Sequence, residues 1–399
     1  MLTPAEATAA ITAHVTLLPT ERAPLAACGG HVLREPVRAE RDAPPFDRVA
    51  MDGIALRHAS LAAGARRFQV ASTQAAGHPP LVLTDPRACL EVMTGAVLPS
   101  GCDTVVPVED VYREGPEAVL QPEPRLAPWQ HVHRRASDAR AGDLLLDAGT
   151  ELRAPEVAIA ASAGLATLEV TRQPRVAVIS TGDELVDPGV PILDHQVRRS
   201  NSYAVATALA GRCGAQVEDA HVRDDEDAIA AVIASALERN DVLVLSGGVS
   251  MGRFDHVPRV LNRLGVREIF HRVAQRPGKP MWFGVAPQGQ PVFGLPGNPV
   301  SVLVCLVRYV LPALAHARGL PPSTVHTVAL AEPVSFRPAL AWFLPVALES
   351  DADGRSWAWP RPTKGSGDFN ALAGTSGFVE LPPGPIDVAR GTPAPFHAW

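Results

Sequence analysis

The feature that most constrains the fold is an aliphatic run that passes directly into glycines, hydroxyls and a carboxylate. Residues 241–245 read DVLVL, and residues 246–255 continue as SGGVSMGRFD. Continuous aliphatic runs are typical of strands that are buried on both faces of a parallel sheet. Open α/β sheets bind ligands where such strands end, so we expect a small anionic molecule to bind at this loop.

Strand-like and helix-like segments alternate from residue 175 onward. Strands are predicted at 176–180, 216–222 and 241–245, and helices at 201–211, 226–237 and 257–264. Asn298 is predicted to cap a further helix that has Pro299 at its first position and runs to about residue 317. This alternation is the signature of a parallel sheet with crossover helices.

The segments on either side of this alternation are of other kinds. Thr3, Pro4 and Glu6 predict a capping box and a helix to about residue 14. A helix is also predicted at 155–165. Short β-like runs indicate a small all-β insertion (68–71, 81–83 and 104–108) and a separate C-terminal β domain (327–330, 341–348 and 377–381).

Size and charge exclude several classes of protein. A chain of 399 residues is expected to form about two to four domains. The balance of 36 basic and 42 acidic residues, net −6, argues against a protein that coats nucleic acid. We find no leader pattern and no apolar stretch of about 18 residues, so the sequence predicts a cytoplasmic protein without a membrane span.

The five cysteines are odd in number and none forms a CxxC pair. They indicate neither a disulfide framework nor a structural zinc site. We therefore expect small, buried, unpaired thiols.

Two further turns have the chemistry of anion sites. Residues 275–280, QRPGKP, place two cations around Gly278, where the backbone can approach a ligand closely. Residues 294–301, GLPGNPVS, put a glycine turn before a helix N-terminus, which favours anions. A basic turn alone is often solvated surface, and a glycine turn is often a simple cap. Three such turns in one part of the chain favour a shared ligand.

Acidic residues also follow the predicted strands. Asp183 and Glu184 follow the first strand, Asp224 and Asp225 the second, and Asp255 the third. Carboxylates beside phosphate-binding turns suit Mg²⁺, which prefers few carboxylates together with substrate oxygens and waters. The alternative that Asp224 and Asp225 only cap the next helix stays open.

Several common motifs are absent from the sequence. No strand is followed by GxGxxG, and GxxxxGK[ST] and HExxH do not occur. This excludes nicotinamide-binding, P-loop and zincin readings that depend on those motifs. The KGSG stretch at 364–367 only superficially resembles a phosphate loop and is predicted to be a flexible turn.

Seven short motifs occur in a fixed order along nearly the whole chain. They are PPFDRVAMDG (44–53), TGAVLPSGCD (94–103), STGDEL (180–185), RRSNS (198–202), SGGVSMGRFD (246–255), RPGKP (276–280) and GLPGNPVS (294–301). Each motif is weak alone, but their succession is highly specific. It resembles the molybdopterin molybdenumtransferase family, the MoeA and gephyrin E-domain group.

This resemblance implies a multidomain α/β and β protein that forms an elongated homodimer. The implied domains are a helical linker domain (1–45 plus 138–172), a β insertion (46–137), a molybdopterin-binding α/β domain with a parallel-rich sheet (173–320) and a small β-barrel-like domain (321–399). The implied reaction, in molybdenum cofactor biosynthesis, inserts molybdenum from molybdate into adenylylated molybdopterin and releases AMP with Mg²⁺. The molybdopterin adenylyltransferase is implied as a transient partner.

The resemblance and the local chemistry together define candidate site residues. The candidate catalytic residues are Asp52, Thr94, Glu184, Asp255 and Lys279. The candidate ligand-binding residues are Asp138, Thr181, Gly182, Asp183, Ser246, Gly247, Gly248, Ser250, Arg272, Arg276, Pro296, Gly297, Asn298 and Ser366. The candidate metal ligands are Glu184, Asp224, Asp225 and Asp255.

These groups match the charge of the implied ligands. Molybdate is a dianion and the pterin carries phosphates, so the pair needs concentrated cations, helix N-termini and a divalent metal. The roles of Asp52, Thr94 and Asp138 come from the resemblance alone, which places them across a dimer cleft. Catalysis would consist mainly of positioning and charge neutralisation.

The chain departs from the family pattern at several positions. Arg48 and Val49 stand where the family often has Asn-Ser, and Leu340 stands where an arginine usually precedes a Phe-containing strand. Arg272 and Arg276 stand where lysines often occur. Two other functions stay open: a pterin-binding scaffold that has lost catalysis, and a nucleotide-pyrophosphate hydrolase, which the motifs of the β insertion disfavour.

Overall fold

The computed structural model describes residues 1–121, 126–248, 256–322 and 324–399. The chain forms two compact units. The first comprises Met1–Glu35, Gly149–Ala154 and Thr167–Trp399, and the second comprises Pro36–Ala148 and Pro155–Ala166. The four-domain division made from the sequence stays a prediction.

A six-stranded sheet forms the centre of the first unit. Its strands, in spatial order, are Gln216–Val222, Arg175–Thr181, Val242–Ser246, Pro291–Leu295, Trp282–Val285 and Arg267–His271. The first four are parallel, and the last two are added antiparallel. The parallel-rich sheet is confirmed, and the three predicted strands lie within one residue of their expected bounds. The other three strands were not predicted.

Helices cover both faces of this sheet. Helix Asn201–Cys213 packs on the face that presents Val176 and Val178, and helix Glu226–Arg239 packs on the face that presents Ala177 and Ile179. Arg175–Thr181 is the first strand of the sheet along the chain. The next strand, Gln216–Val222, pairs with one edge of it, and the third, Val242–Ser246, pairs with its other edge. The order of the strands therefore reverses between Arg175–Thr181 and Val242–Ser246, where α/β sheets open a ligand-binding crevice.

The remaining helices of the first unit include Pro4–Thr12 and Val257–Arg263. The predicted capping box is present, because Thr3 Oγ1 accepts from Glu6 N at 3.2 Å and Glu6 Oε2 accepts from Thr3 N at 2.8 Å.

The last long helix runs from Pro299–Cys305 through a π-helical turn, Leu306–Val310, into Leu311–Ala317. Its 19 residues are long and apolar enough to cross a membrane, which contradicts the expectation that no stretch reaches that length. Of its apolar window, 72% is buried inside the protein, as in the core helix of a globular domain.

A small barrel closes the C-terminal part of the first unit. Its five strands, in order around the barrel, are Ala341–Ser350, Ser356–Pro360, His326–Leu330, Pro393–Ala398 and Gly377–Leu381. Ala341–Ser350 pairs with both Ser356–Pro360 and Gly377–Leu381, which closes the ring and confirms the predicted barrel-like domain. The short strand Gln275–Arg276 pairs with Ala341–Ser350 and joins the barrel to the binding domain.

Shorter elements complete the first unit. Thr20–Pro24 pairs with Thr167–Thr171, Leu185–Val186 with Val197–Arg198, and Val334–Phe336 with Ile386–Val388. Short 3₁₀ helices occur at Leu25–Ala27 and Phe369–Leu372.

The second unit is built on a mostly antiparallel sheet. Its strands, in spatial order, are Thr104–Pro107, Gly53–Leu56, Ala88–Val92, Arg67–Gln74, Glu117–Leu120 and Val111–Glu114. The smaller elements are the strand pairs Val37–Arg38 with Leu144–Leu146 and Arg48–Val49 with Val132–His133, the 3₁₀ helix Val108–Asp110, and the helices His58–Ala62 and Ala154–Ser162.

One strand prediction in the second unit is wrong. Residues 81–83 form no strand, and Val82 makes only an isolated bridge to Ser100. Pro80 has no N–H to offer a ladder, and the Leu81 N–H is taken by the side chain of Gln74 at 2.7 Å.

All five cysteines are buried and unpaired, as predicted. Burial raises the pKa of the Cys89, Cys102 and Cys305 thiols to about 12, so they are protonated at neutral pH.

Candidate functional site

The four parallel strands end at one edge of the sheet, and the glycine turns follow them there. A cleft of ≈ 560 Å³ opens at the strand-order reversal, and we call it the switch-point cleft. Its lining includes Ser180, Thr181, Glu184, Ser200, Asn201, Ser246, Gly247, Gly297 and Asn298. Of the predicted ligand-binding residues, this cleft brings together Thr181, Ser246, Gly247, Gly297 and Asn298.

Two hydroxyl groups of this cleft have hydrogen-bonding capacity to spare. Ser180 Oγ and Thr181 Oγ1 are buried, and neither has a hydrogen-bond partner in the described part of the chain. Buried polar atoms are normally paired, so these two atoms are suited to a polar ligand.

Glycines bring the neighbouring loop close to these hydroxyls. A Cβ atom on Gly247 would lie 2.8 Å from the Thr181 carbonyl oxygen, and one on Gly248 would lie 2.9 Å from Thr181 Oγ1. Both glycines have positive φ angles, +93° and +62°. Only glycine therefore fits this close approach without strain.

Asn201 ties the loops of the switch-point cleft together, although no role was predicted for it. Its Nδ2 donates to Ser246 Oγ at 3.1 Å and to the Gly297 carbonyl at 2.7 Å. The signal was present in the RRSNS motif, which spans the start of helix Asn201–Cys213. The free N–H groups of that helix start favour an anion in the cleft.

A second cleft of ≈ 690 Å³ lies between the binding domain and the barrel, and we call it the cationic cleft. Arg276, Lys279 and Arg337 line it. Within the described residues, neither Arg276 nor Lys279 makes an ion pair, so their charges are available to a ligand. Arg337 is held by Asp387, with Nη2–Oδ1 at 2.8 Å and Nη1–Oδ2 at 3.0 Å.

Polar groups complete the lining of the cationic cleft. Asn298, Ser301 and Ser366 contribute polar side chains, and Pro296 and Leu340 also line the cleft. Arg337 and Ser301 were not predicted. The family pattern places an arginine at the position of Leu340, next to the strand, whereas Arg337 lies in the preceding loop, so the pattern does not point to it.

The two clefts adjoin at Asn298, which lines both. Asn298 occupies the predicted N-cap position before Pro299, but its side chain makes no capping hydrogen bond. Its Nδ2 donates to Ser366 Oγ at 2.8 Å, and the Ser366 carbonyl accepts from Val300 N at 3.1 Å. The turn at 364–367 therefore packs against the helix start between the two clefts.

Some predicted residues lie outside the two linings. Arg272 lines neither cleft, and its backbone N–H donates to the Met281 carbonyl at 2.8 Å. Gly182 and Gly248 lie one residue beyond lining positions, and a Cβ atom on Gly182 would lie 2.6 Å from the Glu184 carboxylate. Ser250 and Asp255 lie outside the described residues.

The acidic residues are only partly available for a metal. Asp225 caps helix Glu226–Arg239 by accepting from Ala228 N at 2.8 Å, which was the alternative left open. Asp224 accepts from Asp183 N at 3.3 Å. Arg223 lowers the pKa of the Asp183 carboxyl through a hydrogen bond. In the described ranges, no three His, Cys, Asp or Glu side chains form a group that could hold a metal ion.

The side chains present still suit a Mg²⁺ site in which the protein provides one carboxylate. Glu184 projects at the switch-point cleft. Mg²⁺ commonly binds through one or two carboxylates together with ligand phosphates and waters, so a protein cage is not required.

Asp52 and Thr94 meet in the second unit. Asp52 Oδ1 accepts from Thr94 N at 2.6 Å and from Thr94 Oγ1 at 2.7 Å. These two bonds, the backbone one first, hold the pKa of the Asp52 carboxyl below its ordinary value. Asp52 is exposed and therefore presents a fixed carboxylate at the surface of this unit.

Asp138 belongs to a second polar chain of this unit. Its Oδ1 accepts from His133 Nε2 at 2.7 Å, and Arg48 Nη2 lies 2.9 Å from His133 Nδ1. A guanidinium can only donate, so His133 accepts at Nδ1 and donates at Nε2. The hydrogen bond from His133 lowers the pKa of Asp138, and Arg48 thus supports this site at a position that departs from the family pattern.

Comparison with known proteins gives a consistent assignment. Three family profiles match: the MoeA N-terminal region (domain I and II) at residues 2–164, the probable molybdopterin binding domain at 177–316, and the MoeA C-terminal region (domain IV) at 327–399. The chain is 42% identical over 372 residues to the molybdopterin molybdenumtransferase of Synechocystis sp., with 93% of each chain covered.

Further relatives agree. The chain is 36% identical to the molybdopterin molybdenumtransferase of Synechococcus elongatus, which covers 96% of this chain and 95% of the relative. Among solved structures, the molybdopterin biosynthesis MoeA protein of Pyrococcus horikoshii matches with a TM-score of 0.83, 26% identity and full coverage of both chains.

Proposed function

Because the chain belongs to the molybdopterin molybdenumtransferase family, we propose that it is a transferase that inserts molybdenum from molybdate into adenylylated molybdopterin and releases AMP. The observation that carries this proposal is the pair of adjoining clefts that share Asn298. One cleft is lined by hydroxyls and helix starts, which suit a phosphate-bearing substrate, and the other is lined by cations, which suit a dianion.

The switch-point cleft suits the phosphate-bearing end of the pterin substrate. Ser180 and Thr181 offer hydroxyls, Gly247 permits close backbone approach, and helix Asn201–Cys213 directs its N-terminus at the cleft. Backbone N–H groups at a helix start bind phosphate without a charged side chain.

The cationic cleft suits molybdate. Arg276 and Lys279 belong to one turn of its lining, and Arg337 belongs to a separate loop. A unit charge about 4 Å from another is stabilised by about 1–4 kcal/mol at effective dielectric constants between bulk water and a protein surface. The two unpaired cations, Arg276 and Lys279, therefore favour a dianion over neutral solutes, and Arg337 adds a guanidinium whose charge is already paired with Asp387.

We further propose that the reaction depends on Mg²⁺. Glu184 would hold the ion together with phosphate oxygens of the substrate, with Asp224 and Asp255 as further candidates. Asp225 is the weakest candidate, because its side chain is engaged as a helix cap. When bound, Mg²⁺ would neutralise charge at the phosphates.

The second unit enters this proposal through a homodimer. Asp52, Thr94 and Asp138 are proposed to complete the site of the partner subunit, as the family resemblance implies. We also propose a cytoplasmic protein that receives its substrate from the molybdopterin adenylyltransferase.

The scaffold alternative predicts pterin binding without turnover. It rested on the departures from the family pattern at Arg48, Val49 and Leu340. Arg337 supplies a guanidinium to the wall that contains Leu340, which favours the enzyme.

The test is to incubate the purified protein with adenylylated molybdopterin, Mg²⁺ and molybdate, and to assay both AMP and molybdenum cofactor. We expect both products to form together. Pterin binding without AMP would select the scaffold, and AMP release without any need for molybdate would select the hydrolase. Glu184→Gln should abolish Mg²⁺-dependent AMP release, because it removes a proposed ligand of the ion.

A further inference from the structure

Three buried side chains lie beneath the turn that carries Arg276 and Lys279. Gln275 and Cys305 have no exposed surface, and Tyr309 is 1% exposed. The Tyr309 hydroxyl donates to Gln275 Oε1. We call Gln275, Cys305 and Tyr309 the buried floor.

The buried floor is hydrogen-bonded to the turn above it. Because Tyr309 occupies Gln275 Oε1, the amide Nε2 faces the turn, where it donates to the Pro277 carbonyl at 3.2 Å and contacts Cys305 Sγ at 3.5 Å. The Cys305 thiol donates to the Gly278 carbonyl at 3.7 Å. Both backbone carbonyls between Arg276 and Lys279 are therefore held from below.

The turn lies on the buried floor without any gap. A Cβ atom on Gly278 would lie 2.6 Å from both Cys305 Sγ and Gln275 Nε2, and Gly278 has a φ angle of +89°. Tyr309 lies within the π-helical turn Leu306–Val310, and Cys305 directly precedes it. Such turns occur often at functional sites.

We infer that Gln275 and Tyr309 are positioning residues that fix this turn so that Arg276 and Lys279 converge on one tetrahedral dianion. The inference rests on the proposed role of the cationic cleft as the molybdate site. A buried polar chain that ends at the backbone of an exposed cationic turn has no such role in ordinary core packing, which apolar side chains of the same size could provide. The floor therefore acts on oxyanion affinity and leaves the switch-point cleft unchanged.

The first test is Tyr309→Phe in the full-length protein. Molybdate binding is measured by calorimetry without pterin, and KM is measured separately for molybdate and for adenylylated molybdopterin. We expect the Kd and the KM for molybdate to rise about fivefold, the effect of one lost buried hydrogen bond, with the KM for the pterin substrate unchanged. An unchanged molybdate Kd would overturn the inference.

A double variant separates positioning from stability. Tyr309→Phe leaves Gln275 without its donor, whereas Tyr309→Phe combined with Gln275→Met removes the unpaired amide as well. We expect the double variant to recover part of the melting temperature, because the buried amide is gone and only the carbonyl of half-buried Pro277 loses its donor, but to keep its weak molybdate binding. If the double variant recovered wild-type molybdate affinity as well as stability, the buried floor would serve only in packing and would have no positioning role.

A matched control is Asn240→Ala. Asn240 is another buried polar side chain, bonded to Glu218 at 2.9 Å and in neither cleft lining. It should lower the melting temperature without changing the Kd for molybdate. If the wild-type protein bound molybdate but showed no turnover, the proposed function would be rejected and this test would still apply. If the wild-type protein showed turnover but Tyr309→Phe left the Kd for molybdate unchanged, the inference would be rejected and the proposed function would stand.

Discussion

Asn298 donates its side-chain amide to Ser366 Oγ across 2.8 Å, and in doing so it links the start of the last helix of the binding domain to a loop of the barrel domain. The helix start is completed from the other side, because the Ser366 carbonyl accepts from Val300 N. This exchange places two segments that are distant in sequence at the border of the two clefts.

Asn298→Ala should therefore affect both substrates. We expect the KM to rise several-fold for molybdate and for adenylylated molybdopterin, because Asn298 lines both clefts, with a stability loss of about 1 kcal/mol from the lost hydrogen bond. Thr3→Ala is the control: it removes the cap of helix Pro4–Thr12 at a similar cost and should leave both KM values unchanged. A rise in only one KM would contradict the shared border.

Lys279→Ala and Arg276→Ala should weaken molybdate binding at least about tenfold each, corresponding to about 1.4 kcal/mol. Both side chains are exposed, so the free energy of unfolding should barely change. Calorimetric titration at two salt concentrations measures this, and added salt should weaken wild-type binding more than that of either variant. Arg263→Ala removes an exposed charge that is paired with Asp227, and it should leave binding unaltered.

Thr94→Val should shift the acid limb of the pH profile of AMP release. In the folded protein the pKa of Asp52 is depressed by Thr94, so the carboxylate persists until the pH falls through that lowered value. Loss of the Thr94 hydroxyl removes one of two donors, and the limb should move to higher pH. Thr94→Ser keeps the donor and should restore the profile. Identical profiles for all three proteins would exclude ionised Asp52 from the rate.

Glu380→Gln should destabilise the protein in a pH-dependent way. Burial alone would raise the pKa of Glu380, but His397 and Arg308, the latter at 2.8 Å, bring the pKa below its ordinary value. The stabilisation is thus complete above the unfolded pKa and is lost as pH falls through the folded one. We expect a loss of about 1–3 kcal/mol at pH 7, measured by urea unfolding, that shrinks towards acid pH.

The matched control for this prediction is Asp227→Asn. Asp227 pairs with Arg263 at the surface, and its loss should change stability by less than about 0.5 kcal/mol at either pH. An equal effect of the two substitutions at pH 7 would contradict the argument from burial.

Gly53→Ala should prevent correct pairing in the sheet of the second unit. A Cβ atom there would lie 1.9 Å from the Val106 carbonyl oxygen. We expect a loss of more than about 2 kcal/mol, because either the strand or its neighbour must move. Gly77→Ala is the control, since Gly77 has a positive φ angle of +79° but open space around it, and it should cost only about 1 kcal/mol. If thermal unfolding showed equal losses of stability for the two variants, the backbone angle alone, and not the close contact, would determine the cost.

The parallel strands could be predicted because burial on both faces produces continuous aliphatic runs, as in Arg175–Thr181 and Val242–Ser246. Strand Pro291–Leu295 was missed because it begins with a proline and contains Gly294. Closure of the barrel depends on the pairing of Ala341–Ser350 with Gly377–Leu381, and no local pattern encodes which distant strand is the partner.

The site was predictable where a glycine or a charge marks a turn, as at Gly247 and Lys279. The polar residues that organise the clefts were not. Asn201, Arg337 and the buried floor are ordinary residue types, and their roles arise only when the chain folds. Local motifs cannot report on a buried Gln that is oriented by a distant Tyr.

Because Gln275–Arg276 pairs with the barrel strand Ala341–Ser350, ligand binding at this turn is coupled to the packing of the barrel on the binding domain. Any anion that bridges Lys279 and Arg337 acts as a non-covalent crosslink between the two domains. By thermodynamic linkage, such an anion at one hundred times its Kd would stabilise the contact between the two domains by about 2.7 kcal/mol. Proteolysis of the connection near residue 320 should accordingly slow when molybdate is present, so the substrate itself would report whether the enzyme is assembled.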